Sequence, residues 1–153
     1  MTVRVIGIGS PAGDDQAGWL VIDALRARGA EATGAVLVKA DRPGAALLAQ
    51  WTDADHVILV DAMQTGSTPG SIRHLAHDAW RTHDHGLSTH GFGVLDALTL
   101  ADALGALPPR LDVFGVEITD VAPGATLSAA VRGGVEALAS AILGVLRATA
   151  SGP

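Results

Sequence analysis

The chain contains no cysteine, and this absence excludes several kinds of site. Without thiols the protein has no disulfide, no thiolate ligand for a metal and no cysteine nucleophile. Any metal site must therefore use histidine nitrogens and carboxylate oxygens. A chain without cysteine is also compatible with a reducing compartment, and we expect a cytoplasmic protein.

Aromatic residues are also scarce, with three tryptophans, two phenylalanines and no tyrosine among 153 residues. Hydrophobic residues nevertheless make up 48% of the chain and charged residues 17%, which supports a buried core and argues against disorder. The core must therefore consist mainly of valine, leucine, isoleucine and alanine. This length fits one compact domain, which we place at residues 1–147, followed by a frayed tail at residues 148–153.

Basic residues are outnumbered by acidic ones, and the formal net charge is -6. An acidic surface repels nucleic acid and anionic membranes, so neither is expected as a partner. The first residues show no basic segment followed by a longer apolar one, so we expect no signal peptide, and no continuous apolar run approaches the roughly 20 residues of a membrane span. We expect a monomer that meets a neutral or basic partner.

Short apolar runs alternate with helical patterns along the chain. The runs predict five strands, at Val3–Ile8, Ala35–Val38, His56–Asp61, Ser71–Leu75 and Leu111–Ile118. Apolar stripes at helical spacing predict four helices: one after Asp15 that ends at Gly29, then Gly44–Trp51, Phe92–Leu104 and one beginning near Leu127. This alternation predicts an α/β fold, a three-layer α/β/α sandwich around a mostly parallel sheet of about five strands.

Three polar segments fall where predicted strands or loops end. Asp14-Asp15 follows the first strand, Asp61 ends the most apolar strand, and His90 closes a polar loop over residues 76–90. Ligands of open α/β sheets bind outside the carboxyl ends of the strands. Two carboxylates and one imidazole suit zinc or nickel with open coordination positions. Structural roles compete at each position: one of the two adjacent acids is assigned to capping the following helix, Asp61 could cap a turn, and His90 could be an ordinary loop residue.

Glycines near the first strand raise the alternative of a nucleotide site. Gly7, Gly9 and Gly13 stand where a phosphate-binding turn would lie. However, Asp14 and Asp15 occupy the helix N-terminus that would have to receive a pyrophosphate, and their charges would repel it. We therefore expect no nucleotide cofactor, although a nucleotide- or metal-binding module without peptidase activity stays the alternative.

The remaining histidines cluster on or near the polar loop. A second metal patch built from them is conceivable, but a solvated loop is the favoured interpretation, with Trp80 as its anchor. These histidines are His74, His77, His83 and His85.

Five segments occur in an order and at spacings that match one enzyme family. They are Gly7-Ile8-Gly9-Ser10 with Asp14-Asp15-x-x-Gly18, His56–Ala62, Ser88-Thr89-His90, Phe114-Gly115-Val116-Glu117, and Leu127-Ser128. In this order they resemble the motifs of the hydrogenase maturation endopeptidases. The resemblance extends over nearly the whole chain.

The resemblance implies a specific activity. Members of this family are α/β/α proteins that activate a nickel–iron hydrogenase by removing the C-terminal extension of its large-subunit precursor after nickel insertion. Their metal-contacting positions correspond here to Asp15, Asp61 and His90, which are therefore the expected catalytic and metal-binding residues. The metal would be nickel supplied by the precursor. Because no Ser–His or Cys–His pair is evident, water activated by the metal or by an aspartate is the expected nucleophile. A nickel-dependent assembly partner that binds without cleaving is a further alternative.

The chain departs from the family pattern at three places. Ser10 stands where the family has asparagine, and Ile118 stands where it usually has proline. Residues 39–44 replace a D-G-G-T-x-G stretch that the family uses in substrate recognition, and only the last glycine is kept. These differences leave the identity of the precursor open.

Overall fold

The computed structural model describes residues 2–41, 45–76, 78–81, 94–119 and 126–151. Its five strands are β1 (Val3–Gly9), β2 (Val36–Asp41), β3 (His56–Met63), β4 (Ile72–Ala76) and β5 (Arg110–Glu117). They form one sheet in the order β2-β1-β3-β5-β4. All neighbours are parallel except β4, which runs antiparallel to β5 at one edge.

Helices cover both faces of this sheet. They are α1 (Ala17–Ala27), α2 (Ala45–Leu48), α3 (Val94–Ala103) and α4 (Ala129–Ser151), with short 3-10 turns at Gly13–Gln16, Ala30–Thr33 and Ala79–Arg81. The core residues of α1 and α4 belong to one apolar cluster, and those of α2 and α3 belong to the other. The predicted α/β/α sandwich with a mostly parallel five-stranded sheet is confirmed.

The alternation of side chains along the inner strands explains the two cores. In β1, Val5 belongs to the cluster with α1 and α4, whereas Ile6 belongs to the cluster with α2 and α3. In β3, Ile58 and Leu59 divide in the same way. Successive residues of a strand point to opposite faces, so a strand buried on both faces must be apolar throughout. This explains the continuous apolar runs in the sequence.

Several element boundaries differ from those predicted. β2 continues past Val38 because it pairs with β1 as far as Asp41. α2 has only four residues, and Trp51, predicted to lie in that helix, instead turns inward and donates its indole N–H to the Ala106 carbonyl at 2.9 Å. α4 runs through residues 148–151, where a frayed tail was expected. Alanine-rich sequence favours helix there.

α4 also differs from the expectation about membrane spans. Within Ala129–Ala150, an 18-residue window has a mean hydropathy of 1.5, so by length and composition alone this helix could cross a membrane. No continuous apolar run of about 20 residues was expected from the sequence, and Arg132 and Glu136 do interrupt this one. The buried residues of α4, among them Val131 and Leu138, pack in the same cluster as β5 and α1. Core helices of soluble proteins share this composition, and 44% of the window is buried inside the protein.

In the part of the polar loop that the structure describes, Trp80 anchors the loop, as predicted. Its side chain is 5% exposed and packs in the cluster with α3. The guanidinium of Arg81 lies 4.6 Å from the centre of the Trp80 ring and binds the Asp102 carboxylate of α3 at 2.5 and 3.2 Å. The loop is therefore attached to α3 at this point. Its other predicted members, His77, His83 and His85, lie outside the described residues.

Gly18 permits close contact between α1 and β1, and it leads to a stability prediction. A Cβ atom on Gly18 would lie 2.1 Å from the Ile8 carbonyl oxygen, so the helix would have to move. We expect Gly18→Ala to lower the free energy of unfolding by about 2–3 kcal/mol. Gly144 provides the matched control, because it is on the exposed side of α4 and a Cβ there would meet no atom of the described chain within 4 Å beyond its own helix backbone and chain neighbours. Gly144→Ala should stabilise the protein by about 0.5–1 kcal/mol.

Urea unfolding followed by circular dichroism measures both changes. An unchanged midpoint for Gly18→Ala would mean that α1 can shift away from β1 without loss.

Candidate active site at the carboxyl edge of the sheet

Asp61 ends the apolar part of β3 and is 5% exposed. One carboxyl oxygen, Oδ1, accepts the Ala62 backbone N–H at 2.8 Å. The other oxygen, Oδ2, is buried and has no hydrogen-bond partner in the part of the chain that the structure describes. A buried polar atom without a partner lowers stability, so such atoms are rare unless a ligand or reaction uses them.

Burial also changes the protonation of this carboxyl group. Loss of solvation raises the pKa of Asp61, the Ala62 N–H lowers it, and the negative charge of Asp15 raises it further, to about 8 overall. Asp61 therefore holds a proton at neutral pH. Shifts of this kind are typical of functional carboxyl groups.

Asp15 lies in the 3-10 turn that follows β1 and is half-buried. Its backbone N–H donates to the Ala12 carbonyl at 2.9 Å, and its own carbonyl accepts the Ser10 N–H at 3.1 Å. The Ser10 hydroxyl donates to Asp15 Oδ2 at 3.4 Å. Ser10 therefore keeps a polar contact with the acid, although it replaces the asparagine of the family. A Cβ atom on Gly9 would lie 2.7 Å from the Asp15 carbonyl oxygen, so glycine is needed for this turn to pack on β1.

Asp14 does not cap the helix that follows it, and neither does Asp15. The N-cap positions of the 3-10 turn and of α1 are Ala12 and Gln16. Asp14 instead is fully buried and reaches across to the residues before α4. The assignment of one of the two acids to an N-cap was therefore wrong, although both lie in the first turn of a helix, because the chain makes a 3-10 turn here before α1 begins.

Glu117, at the end of β5, is another carboxylate at the carboxyl edge of the sheet. No role was predicted for it from the sequence. It is 2% exposed and accepts the Thr65 N–H at 2.9 Å, the Thr65 hydroxyl at 2.5 Å and the Gly66 N–H at 3.3 Å. These bonds fix the chain that leaves β3 shortly after Asp61. The next residue, Ile118, donates its backbone N–H to the Met63 carbonyl at 3.0 Å. Proline has no N–H, so the departure from the family at Ile118 adds a bond between β3 and β5.

A second buried polar cluster lies at the opposite edge of the sheet. Asp112 of β5 accepts hydrogen bonds from His56 Nε2 at 2.6 Å and from His74 Nε2 at 2.7 Å. Burial raises the pKa of Asp112, but the hydrogen bonds with His56 and His74 together lower it by more. The pKa is therefore about 2 overall. His74 also stacks on Phe114 with 4.2 Å between ring centres. His74 belongs to β4, in agreement with the strand predicted at Ser71–Leu75, and its contacts with Asp112 and Phe114 show that the solvated-loop interpretation is wrong for this residue. A polar residue within an apolar run, as Asp112 is, was the signal available from sequence.

The glycines of the first segment are explained by packing. A Cβ atom on Gly7 would lie 2.3 Å from the Gly18 carbonyl oxygen, and Gly9 similarly contacts the turn that bears Asp15. Since these glycines bring the helix close to the strand, they require no phosphate to account for them. This observation disfavours the nucleotide alternative.

α1 also holds the end of β2, where the sequence departs most from the family. The Trp19 indole N–H donates to the Ala40 carbonyl at 2.9 Å, and Lys39 Nζ lies 2.8 Å from an oxygen of Asp23. Both contacts come from one side of α1, four residues apart. Residues 42–44 of the divergent stretch lie outside the described residues.

The structure thus brings two of the three predicted site residues to one edge of the sheet. Asp61 and Asp15 are close enough for the charge of one to raise the pKa of the other. The third, His90, lies outside the described residues. Within residues 2–41, 45–76, 78–81, 94–119 and 126–151, no group of three or more histidines and acids is arranged to hold a metal ion. The metal site therefore stays a prediction, of which the structure describes the two carboxyl groups.

Comparison with known proteins identifies the family. The family model described as hydrogenase maturation protease (HycI) matches residues 20–145. Similar solved structures include the hydrogenase maturating endopeptidase HybD from E. coli, with a TM-score of 0.78 and 22% identity over 97% of this chain and 94% of that one. The maturation protease HycI from Thermococcus kodakarensis KOD1 has a TM-score of 0.74 and 20% identity over 95% and 92%. Comparison with curated protein sequences gives no significant match. Because the family model covers most of the chain, this protein belongs to the hydrogenase maturation protease family and is a peptide-bond hydrolase.

Proposed function

We propose that the protein removes the C-terminal extension of a nickel-loaded hydrogenase large-subunit precursor, and that Asp15, Asp61 and His90 contact the nickel of that precursor. The observation that carries this proposal is the buried Asp61 Oδ2, which has no partner among the described residues. Carboxylate oxygens and an imidazole nitrogen suit nickel. His90 is included in the proposed site because it corresponds to a metal-contacting position of the family that the sequence resembles.

The protonated state of Asp61 supports recognition of the metal. With a pKa of about 8, Asp61 must release its proton before a cation can bind its carboxylate. A precursor without nickel offers no charge to favour that release, so contact with Asp61 would distinguish loaded from empty precursor. Nickel is here part of the substrate.

Hydrolysis requires that water attack the carbonyl carbon of the scissile peptide bond. The water oxygen bonds to that carbon, the C–N bond breaks, one water proton passes to the leaving amine, and the other is released as the new carboxyl group ionises. Asp15, which is half-buried and whose charge raises the pKa of Asp61, would accept a proton from the water. When bound, nickel would polarise the carbonyl or the water. We place this reaction in the cytoplasm, with the protein acting as a monomer.

The test is cleavage of purified precursor, loaded with nickel or left empty, followed by intact mass measurement. We expect loss of the C-terminal peptide only from loaded precursor, and loss of cleavage in Asp15→Ala, Asp61→Ala and His90→Ala. Glu136→Gln is the control, because this exposed residue of α4 pairs with Arg28 on the protein surface. Full cleavage by all three alanine variants would disprove the site. Binding of loaded precursor without cleavage by the wild type would instead identify an assembly partner.

A further inference from the structure

We infer that Asp14 is the positioning residue for Asp15; this inference rests on the proposed function of the site. The Asp14 side chain is fully buried. Its Oδ1 accepts the Ser128 backbone N–H at 2.9 Å, and its Oδ2 accepts the Thr119 backbone N–H at 3.0 Å. The hydroxyls of the same two residues donate to Oδ2, at 3.2 Å from Ser128 and 3.3 Å from Thr119. One carboxylate thus joins the turn after β1 to segments more than 100 residues away.

These bonds hold Asp15 from one side, and Ser10, the residue after β1, holds it from the other. The Asp15 carbonyl accepts the Ser10 N–H, and its carboxylate accepts the Ser10 hydroxyl. Because Asp14 is the preceding residue, its anchoring to the segments after β5 and before α4 sets the position of the Asp15 backbone. Asp15 therefore lies between two fixed attachments, at a distance from which its charge acts on Asp61.

The partners of Asp14 require a carboxylate and not merely a polar side chain. Each of its oxygens faces a backbone N–H, and a backbone N–H can only donate. An asparagine would place its NH2 group against one of these two donors. Asp14→Asn has nearly the same volume as the wild type, yet it should displace the turn. The conservative amide therefore tests the hydrogen bonds separately from packing.

The first measurement is steady-state cleavage of nickel-loaded precursor by Asp14→Asn. We expect kcat to fall about 100-fold while KM stays within about threefold, because misplacement by about 1 Å is enough to slow a positioned reaction while substrate contacts remain. The matched control is Asp112→Asn, a similarly buried carboxylate with two histidine partners at the opposite edge of the sheet. That variant should lose stability but keep kcat.

The second measurement is amide hydrogen exchange, which reports the position of Asp15 without any substrate. The Ser10 N–H donates to the Asp15 carbonyl, so its exchange rate follows the integrity of the turn. In Asp14→Asn we expect the Ser10 amide to exchange about tenfold faster after correction for global stability. The Leu59 amide, in the centre of β3, should show only the global change.

A milder variant tests the same inference if Asp14→Asn does not fold. The double variant Thr119→Val, Ser128→Ala keeps both backbone N–H donors and removes both hydroxyl donors, and we expect it to lower kcat by about tenfold. Unchanged kcat and unchanged Ser10 exchange in the folded variants would overturn the inference. If the wild type does not cleave loaded precursor, the proposed function fails, whereas the exchange measurement still decides whether Asp14 positions Asp15.

Discussion

Asp61→Asn is expected to abolish cleavage of the precursor and, at pH 8, to make the folded protein more stable than the wild type. The asparagine keeps an oxygen for the Ala62 N–H but can neither take a charge nor bind a cation as a carboxylate does. We expect the cleavage rate to fall by about 10³-fold, because the variant loses a contact to the precursor's nickel and metal stabilisation of a transition state contributes several kcal/mol. A residue that serves only the fold would give the opposite pattern, with stability lost and activity kept.

The stability gain follows from the direction of the pKa shift. The pKa of Asp61 is about 8 in the folded protein, against 3.8 for an ordinary aspartate side chain, so between these values the folded state binds a proton that the unfolded state has released. Stability is therefore greatest below about pH 4 as far as this group is concerned, and it is lost as pH rises towards 8. Each unit of pKa shift corresponds to about 1.4 kcal/mol, so the loss amounts to a few kcal/mol.

Urea unfolding of wild type and Asp61→Asn between pH 5 and pH 8 measures this contribution. The wild type should lose a few kcal/mol relative to the variant over that range. Glu136→Gln is again the control, and its profile should run parallel to that of the wild type. Parallel profiles for Asp61→Asn would show that the carboxyl group is not protonated in the folded state.

The sheet was predictable from sequence because its inner strands are buried on both faces. Segments such as Val57–Val60 must then be apolar at every position, and they stand out from the surrounding chain. The location of Asp15 and Asp61 followed from the same reasoning, since the carboxyl ends of parallel strands lie at one edge. Helix ends were less predictable. The stop at Gly29, whose φ is 79°, was marked by a residue type, whereas the early end of α2 depends on Trp51 turning into the core.

The partners of buried carboxylates could not be predicted. Asp14 binds Ser128, 114 positions along the chain, and Glu117 binds Thr65 across 52 positions. No local pattern encodes such pairs, because they depend on how β3, β5 and α4 are arranged. The family resemblance selected Asp15 from the pair of adjacent acids, but nothing in the sequence indicated that Asp14 binds Thr119 and Ser128. The protonation of Asp61 was hidden for the same reason, since it depends on burial and on a neighbour from another segment.

Asp112→Ala is expected to produce a large loss of stability without loss of cleavage. The change would leave His56, whose side chain is fully buried, without its 2.6 Å partner, and its Nδ1 already has no partner among the described residues. Removing one member of a buried, hydrogen-bonded pair typically lowers the free energy of unfolding by about 3–5 kcal/mol. His74→Ala removes the more exposed member, whose side chain is 42% exposed, and should lower it by only about 1 kcal/mol.

The pH dependence of this network runs opposite to that of Asp61. The pKa of Asp112 is about 2, below the ordinary aspartate value of 3.8, so its contribution is present above about pH 4 and is lost as pH falls towards 2. Unfolding measured from pH 5 to pH 2 should therefore show an acid-induced loss in the wild type that is absent in Asp112→Ala. Cleavage at pH 7 should be unchanged in this variant wherever it is folded, because Asp112 and its partner His56 lie near the amino ends of β5 and β3, whereas Asp61 lies near the carboxyl end of β3. Loss of cleavage in a folded Asp112→Ala protein would instead mean that the two edges of the sheet are coupled through β3 and β5.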